Sequence, residues 1–208
     1  YVGGFFEYAG GRSANRIAVY DTTQSGETAW RSLGSGIDGN SVSALAVKGT
    51  DLYVGGVFEY AGGISANRIA VYDTTQTGDA GWSTLGGGVG GISVRVLVID
   101  GTKLYVGGNF DTAGGSSANN IAVYDITQSG DAGWSTLGDG LDDDVYAMAF
   151  ISPKLYVGGR FGRAGGENIT FIAAYDTNQT GDAGWSALGS GVEGASVAVS
   201  ALAVKGTD

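Results

Sequence analysis

The sequence predicts an all-β fold built from four copies of one unit. Tyr-Val-Gly-Gly occurs four times and one tryptophan follows each copy, so both series repeat at intervals of 52, 52 and 51 residues (Tyr1, Tyr53, Tyr105, Tyr156; Trp30, Trp82, Trp134, Trp185). A period of about 50 residues indicates supersecondary units that stack because none can bury its apolar face alone. We therefore expect a single domain with repeats at 1–51, 52–103, 104–154 and 155–208.

Composition narrows the functions that this chain can have. Of its 208 residues, 43% are hydrophobic, 40 are glycine and one is proline, which suits many short strands separated by turns. It contains no histidine and no cysteine, which excludes serine–histidine catalysis, thiol catalysis, disulfides and the metal sites built from these residues. The net charge of −10 opposes binding to nucleic acid. We also expect no membrane span, because no run of about 18 apolar residues occurs.

The second repeat shows the four expected strands most clearly. Ser41–Lys48 is apolar on both faces, as in a strand that lies between two sheets. Leu52–Tyr60 follows, and its paired glycines allow another backbone to approach closely. Arg68–Asp73 is rich in β-branched and aromatic residues, and Trp82–Leu85 is a short fourth strand. Four antiparallel strands in a repeat of this length are typical of a β-propeller blade.

The order of these motifs resembles the kelch repeat. A double glycine lies in the second strand, Tyr-Asp ends the third strand, and Trp-x-x-Leu begins the fourth, in all four copies. The added Gly-Gly-Xaa-Phe and Ala-Gly-Gly sequences are more similar to glycine-rich repeats of bacterial secreted proteins and of the fungal cortical cell-polarity marker family. The resemblance implies a propeller and does not imply a partner.

The two ends of the chain predict how the propeller closes. The sequence begins at a second strand, Tyr1–Glu7, and its last nine residues repeat Ser43–Asp51, which lead into the next second strand. We therefore expect Val199–Lys205 to pair with Tyr1–Glu7 as the inner strand of the first blade. This strand exchange would close a ring of four blades with four strands each. The alternative is a four-blade segment of a larger propeller.

Two sets of residues are candidates for structural or metal-binding roles. The four tryptophans are expected to pack between blades, where their large apolar area stabilises the fold, rather than to stack on sugars. The densest acidic cluster is a candidate calcium site, because hard oxygen ligands in a loop suit Ca²⁺, and a solvated turn is the alternative (Asp139, Asp142, Asp143 and Asp144). Otherwise we expect no cofactor.

The loops predict one variable face and one uniform face. We call the surface formed by the loops between strands four and one and between strands two and three the variable face, because these loops differ most among the repeats (Gly34–Ser41, Gly86–Ser93, Asp139–Asp144 and Gly189–Ser196). Loops on a rigid scaffold commonly carry binding residues. Asp38, Glu167 and Glu193 are therefore candidates for contact with a protein or glycan ligand.

These observations predict a non-catalytic binding or structural module. No carboxylate pair stands out for glycoside hydrolysis, so we expect no enzyme. A rigid protein-interaction scaffold, extracellular or at the cell surface, fits the sparse lysines and the acidic balance. The alternative is a multivalent carbohydrate-binding propeller, and a homo-oligomer is possible in either case. Asn168 and Asn178 fit the N-glycosylation pattern.

Overall fold

The chain folds as a β-propeller in the computed structural model, which describes residues 1–194 and 197–205. Its strands group by repeat into four blades (β1 Val2–Gly3, β2 Tyr8–Ala9, β3 Arg12–Ser13, β4 Ile17–Tyr20, β5 Trp30–Ser32; β6 Ile37–Lys48, β7 Asp51–Ala61, β8 Ile64–Ser65, β9 Ile69–Asp73, β10 Trp82–Thr84; β11 Val89–Asp100, β12 Lys103–Ala113, β13 Ser116–Ser117, β14 Ile121–Asp125, β15 Trp134–Thr136; β16 Val145–Ile151, β17 Lys154–Gly159, β18 Ile172–Asp176, β19 Trp185–Ala187). The all-β fold expected from the repeats is confirmed.

Three of the blades have the expected four antiparallel strands in sequence order. Their orders are β6-β7-β9-β10, β11-β12-β14-β15 and β16-β17-β18-β19, with β8 and β13 as short additions at the ends of β7 and β12. The first blade has only β1-β4-β5, and β2 and β3 form a separate hairpin. Every pairing is antiparallel, as expected of strands joined by short turns.

In the second blade, the observed strands can be compared with those predicted from the sequence. Its inner strand begins at Ile37, four residues before the expected start at Ser41, because Ile37 is buried and pairs with Ala61. The register shifts near Gly39, so the strand bends there and continues. A 3₁₀ turn that periodicity does not reveal precedes each fourth strand (Gly26–Ala29, Gly78–Gly81, Gly130–Gly133 and Gly181–Gly184). Among the described residues these turns are the only helices, and none is long or apolar enough to cross a membrane.

Adjacent blades meet at a contact between glycine and valine. A Cβ added to Gly55 would lie 2.4 Å from Cγ1 of Val94, which lies in the inner strand of the following blade, β11. Gly107 stands in the same relation to Val145. The missing side chain therefore makes the niche into which the next blade inserts its valine. Both valines are fully buried.

Two hydrogen bonds complete each internal joint between blades. The indole Nε1 of Trp82 donates to the Leu33 carbonyl of the preceding blade at 3.0 Å. The carboxylate of Asp79 accepts from the Ser35 N–H at 2.6 Å, also across the joint. The same two bonds recur at the other internal joints (Trp134 to Leu85, Trp185 to Leu137, Gly87 to Asp131, Asp139 to Asp182).

Three of the tryptophans, Trp82, Trp134 and Trp185, lie within these joints rather than on an open platform. Trp82 and Trp185 are buried, and Trp30 and Trp134 are half-buried. The ring of Trp82 packs edge-on against Tyr72, with centroids 5.0 Å apart. Apolar clusters fill the space between neighbouring sheets, so each blade completes the core of the next.

The strand exchange expected between the two ends is not formed. In the described residues, β1 pairs only with β4, and Val199–Lys205 carries no strand. Val199 instead occupies the niche over Gly158, and its N–H donates to the Gly159 carbonyl at 3.0 Å. The segment thus takes the position of an inner strand that follows the fourth blade, and the expectation of pairing with Tyr1–Glu7 is corrected. Asp208, where the repeated sequence ends, lies outside the described residues.

Replacing Trp82 tests the joint. Trp82→Ala removes a buried ring and its hydrogen bond, and we expect a loss of about 3–5 kcal/mol in the free energy of unfolding. Trp82→Phe keeps an aromatic ring but leaves the Leu33 carbonyl without its donor, so about 1–2 kcal/mol should be lost. Urea unfolding followed by far-UV circular dichroism measures both. A loss of less than about 0.5 kcal/mol for the alanine variant would contradict burial between blades.

Candidate functional site on the variable face

Hydrogen bonds between neighbouring loops hold the variable face rigid. The side-chain amide of Asn67, in the loop between strands two and three, donates to the Gly87 carbonyl in the loop that leads to the next blade. The Asn67 carbonyl in turn accepts from the Val89 N–H at 3.1 Å. Asn15 and Asn119 repeat the side-chain bond at 2.8 and 2.9 Å. The loops of this face therefore present their side chains from fixed positions.

Two adjoining grooves cross the variable face at the joint of the first two blades. The larger, of about 450 Å³, is lined by Asn15, Arg16, Asp38 and Tyr60 among others. The smaller, of about 260 Å³, shares Asp38 and Tyr60 and adds Arg68. Tyr60 is 43% exposed, so its ring is open to solvent from both grooves. Phe58 and Glu59 also line the smaller groove, so the site combines two carboxylates, two guanidinium groups and two aromatic rings.

A polar cluster occupies the same face where the third and fourth blades meet. We use "Asp144 cluster" for Arg95, Asn109, Asp143, Asp144, Tyr146 and Arg160. Asp144 is only 4% exposed although it carries a carboxylate. Its oxygens accept hydrogen bonds from Asn109, from the Tyr146 hydroxyl at 3.0 Å and from the Arg95 guanidinium at 3.4 Å. These donors make burial of the charge possible, because a buried charge needs both a counter-ion and hydrogen bonds.

The cluster continues towards solvent through a second ion pair. Arg160 donates from Nε and Nη2 to the two carboxylate oxygens of Asp143, at 3.0 and 3.1 Å. This paired hydrogen bond lowers the pKa of the Asp143 carboxyl below its ordinary value. Burial, followed by the hydrogen bond to Asp144, raises the pKa of Tyr146 above its ordinary value. Both groups therefore keep their neutral-pH charge states, and the cluster is a fixed ionic network rather than an acid–base pair.

The side chain of Arg95 lies over an aromatic ring. Its guanidinium carbon is 5.3 Å from the centroid of the Tyr146 ring. The side chains of Arg95 and Arg160 are 39% and 57% exposed, so each guanidinium pairs inward and still faces solvent. Arginine and tyrosine, together with tryptophan, are enriched among the residues that contribute most to protein interfaces. The cluster thus offers a rigid contact point on an otherwise acidic protein.

The structure does not gather the four candidate calcium ligands around one point. Asp142 accepts from the Gly162 and Arg163 N–H groups at 2.7 and 2.8 Å, and Asp143 is paired with Arg160. Asp144 turns into the buried cluster, while the Asp139 N–H donates across the joint to Asp182. In the part of the chain that is described, no group of three or more acidic side chains is placed to hold a metal ion. The acidic sequence instead supplies acceptors for backbone and guanidinium donors.

The other acidic candidates lie apart from one another. Asp38 lines the two grooves, whereas Glu167 is an exposed residue bridged to Ala164. Glu193 is exposed after the fourth blade. The loop Gly189–Ser196, which contains it, ends in two residues outside those described. The structure places all three near variable loops and brings no two of them together.

Of the six residues in the Asp144 cluster, the sequence identified only Asp143 and Asp144 as candidate site residues. Asn109 and Arg160 directly follow the paired glycines of β12 and β17, where the second repeat has Val57. The sequence indicated their role only by a polar residue at a position where the second repeat has an apolar one. Without the stacking of neighbouring blades, the sequence could not show that these side chains meet an aspartate from the next inner strand.

The interaction between Arg95 and Asp144 is tested by replacing each residue with the one that the second repeat has at that position. For Arg95 this residue is Ser43. Asp144→Ser removes the carboxylate that accepts from Arg95, Asn109 and Tyr146, and we expect a loss of about 1–3 kcal/mol. Arg95→Ser alone should also destabilise, and the double variant should lose less than the sum, with a coupling of about 0.5–3 kcal/mol. Chemical denaturation of the four proteins measures this coupling. Additive losses would show that the pair does not interact.

Comparison with known proteins finds one family model and solved structures that are similar to parts of this chain. Residues 84–180 match the family described as the Rax2 C-terminal beta propeller domain. Among solved structures, the computationally designed Ika4 protein is 17% identical, with a TM-score of 0.45 over 85% of this chain and 88% of that one. The designed Ika8 protein is 18% identical with a TM-score of 0.40 over 66% of this chain, which spans only 34% of its length. No curated protein matches.

The family match covers nearly half of the chain and falls on the third repeat and the parts of its neighbours that pack against it. It therefore includes the Trp134 joint and the Asp144 cluster. The glycine-rich repeats thus resemble the cortical cell-polarity marker family, and residues 84–180 are similar to the Rax2 C-terminal beta propeller domain.

Proposed function

We propose that this propeller is a non-catalytic protein-interaction scaffold that binds its partner on the variable face. The Asp144 cluster is the observation that carries the proposal, because it joins exposed arginines to a rigid, buried network. The second repeat has Ser43 at the position of Arg95 and Tyr146, and Val57 at the position of Asn109 and Arg160. The residues of the cluster therefore differ from those of the second repeat, although the packing between blades does not require this difference.

The chemistry available on this face supports binding rather than turnover. The chain has no histidine and no cysteine, and the carboxylates of the cluster are already paired with arginines. The grooves are open and shallow, of about 260–450 Å³. Partner recognition on such a surface uses a few anchored aromatic and arginine side chains surrounded by polar contacts. We propose a location at the cell surface or outside the cell, in keeping with the family resemblance.

Selection of peptide ligands tests the proposed face. A phage-displayed random peptide library is panned on the folded chain, and enriched peptides are synthesised and measured by biolayer interferometry. We expect peptides whose affinity falls at least tenfold when Arg95→Ser and Arg160→Val replace the exposed arginines with the residues of the second repeat. This loss corresponds to about 1.4 kcal/mol or more. The matched control is Gln128→Ala with Gln179→Ala, which should leave affinity unchanged. Both residues lie on the uniform face, formed by the loops between strands one and two and between strands three and four.

The opposite result would overturn the proposal. If the enriched peptides lose affinity in the uniform-face variant and bind the Arg95 and Arg160 variant normally, the partner surface lies on the other face. Circular dichroism of each variant is the control, since an unchanged spectrum shows that a loss of affinity does not come from unfolding.

Carbohydrate binding is a second candidate, favoured by the exposed ring of Tyr60 beside Asp38. An aromatic face next to a carboxylate suits a sugar, which stacks on the ring and donates its hydroxyls to the oxygens. The third repeat has Thr112 at the position of Tyr60, so Tyr60→Thr is a matched test. A glycan array that shows binding by the parent chain and none by this variant would favour the lectin function. Absence of glycan binding would favour the scaffold.

A further inference from the structure

Arg68 lines the smaller groove of the variable face and has no counter-ion there. It is half-buried, and in the part of the chain that the structure describes no carboxylate forms an ion pair with its guanidinium. Asp38 and Glu59 line the same groove, and neither pairs with it. The two arginines of the Asp144 cluster, in contrast, each pair with a carboxylate. Because burial removes part of the hydration of a charge, a half-buried guanidinium without a partner favours an anion beside it.

The groove belongs to the second blade, which has a neighbouring blade on each side. All the residues that line it lie between positions 38 and 68, in β6, in β7 and directly before β9. Its volume is about 260 Å³. This is less than the volume of pockets for drug-sized molecules, so the groove suits a group of the size of one ring.

The third blade shows that the fold does not require an arginine at this position. The equivalent residue is Asn120, because the Arg68 N–H donates to the Phe58 carbonyl as the Asn120 N–H donates to the Phe110 carbonyl. The Asn120 amide donates to the Leu141 carbonyl at 2.8 Å and so binds the neighbouring loop of its own protein. The angle φ is 62° at both residues, a left-handed conformation that asparagine adopts more readily than arginine. The turn therefore does not explain Arg68, and residues held in such conformations are concentrated at ligand sites.

The other walls of the groove add an aromatic ring and hydrogen-bond acceptors. Tyr60 is 43% exposed, and Asp38 lies opposite it on the paired strand. An aromatic face packs against the apolar face of a sugar ring, and a carboxylate accepts from the sugar hydroxyls. A ligand with several negative charges would meet Asp38 and Glu59 as like charges. The groove therefore fits a sugar with one carboxylate better than it fits an acidic peptide.

We propose that this groove binds an acidic sugar of the uronic acid class, as one residue of a glycan. Arg68 holds the sugar carboxylate through paired hydrogen bonds, since a guanidinium matches a carboxylate in geometry as well as in charge. Asp38 accepts from the hydroxyls, and Tyr60 packs on the ring. The proposal rests on carbohydrate binding, the second candidate function, and adds the class of sugar and the residue that selects it.

Matched ligands test the proposal. Methyl glucuronide and methyl galacturonide differ from the neutral methyl glucoside and methyl galactoside only in having a carboxylate in place of a hydroxymethyl group. Each is titrated into the nitrogen-15-labelled chain and followed by NMR. We expect at least one acid to bind about tenfold or more tightly than its neutral counterpart, and to shift the Nε–H resonance of Arg68.

Variants of Arg68 assign the selectivity to its guanidinium. Arg68→Asn installs the residue that the third blade has on the same backbone, so it should fold, and it should weaken binding of the acid about tenfold or more. Binding of the neutral glycoside should be unchanged. Arg68→Lys keeps the charge but not the paired hydrogen bonds, so its affinity should be intermediate. The matched control is Arg163→Asn, which removes the same charge from an exposed residue outside the groove and should leave the affinity unchanged.

Three results would overturn the proposal, and they differ in what else they affect. Equal affinity for an acid and its neutral counterpart, unchanged by Arg68→Asn, would leave carbohydrate binding in place without the acidic class. Binding of neither would remove the carbohydrate candidate as well. Tighter binding of a short glutamate peptide, lost in Arg68→Asn, would assign the groove to an acidic protein segment. Peptide binding at the Asp144 cluster is measured separately, so none of these results changes the proposed scaffold function.

Discussion

The contact between a glycine of one blade and a valine of the next is the constraint on which the rest of the structure depends. Gly55 and Val94 meet so closely that no side chain fits on the glycine. This approach sets the spacing of the second and third sheets, and across the same joint Trp134 donates to the Leu85 carbonyl and Asp131 accepts from the Gly87 N–H. Close packing of this kind is sensitive to a single added methyl group. A repeat sequence therefore preserves the joint at almost the same residues in every copy.

A scaffold fixed by these residues leaves the variable face free to differ between repeats. The Asp144 cluster illustrates this freedom, because Asp144 and Tyr146 flank Val145, which is the valine that fills the niche over Gly107. The apolar contact holds the strand, and the residues on either side of it carry the chemistry. A buried ionic network is weak support for stability in itself, but it fixes the orientation of the side chains that surround it. Side chains that are already held in one orientation lose less conformational freedom when a partner binds.

Much of this architecture was predictable because the repeat is strict. Alternating apolar residues and the Trp-x-x-Leu motif located the strands of the second blade, and the tryptophan indicated a large buried side chain. The strand with which the C-terminal segment pairs was not predictable from sequence identity alone. The sequence of Val199–Lys205 matches an inner strand, but identity does not say which second strand it joins, and in the structure Val199 packs on Gly158 of the fourth blade. The Asp144 cluster was hidden for a similar reason, since its members come from adjacent blades whose stacking depends on the joint.

The most direct test of this account is a double-mutant cycle between Gly55 and Val94. Gly55→Ala places a Cβ 2.4 Å from Cγ1 of Val94, and we expect a loss of about 1–3 kcal/mol in the free energy of unfolding. In the Val94→Ala background, Cγ1 is absent, so the added methyl group should cost clearly less than it does in the parent. The free energies of unfolding of the four proteins, measured by urea denaturation, give the coupling. A positive rescue of about 0.5 kcal/mol or more is the predicted result, and equal losses in both backgrounds would contradict the claim that this contact sets the spacing of the blades.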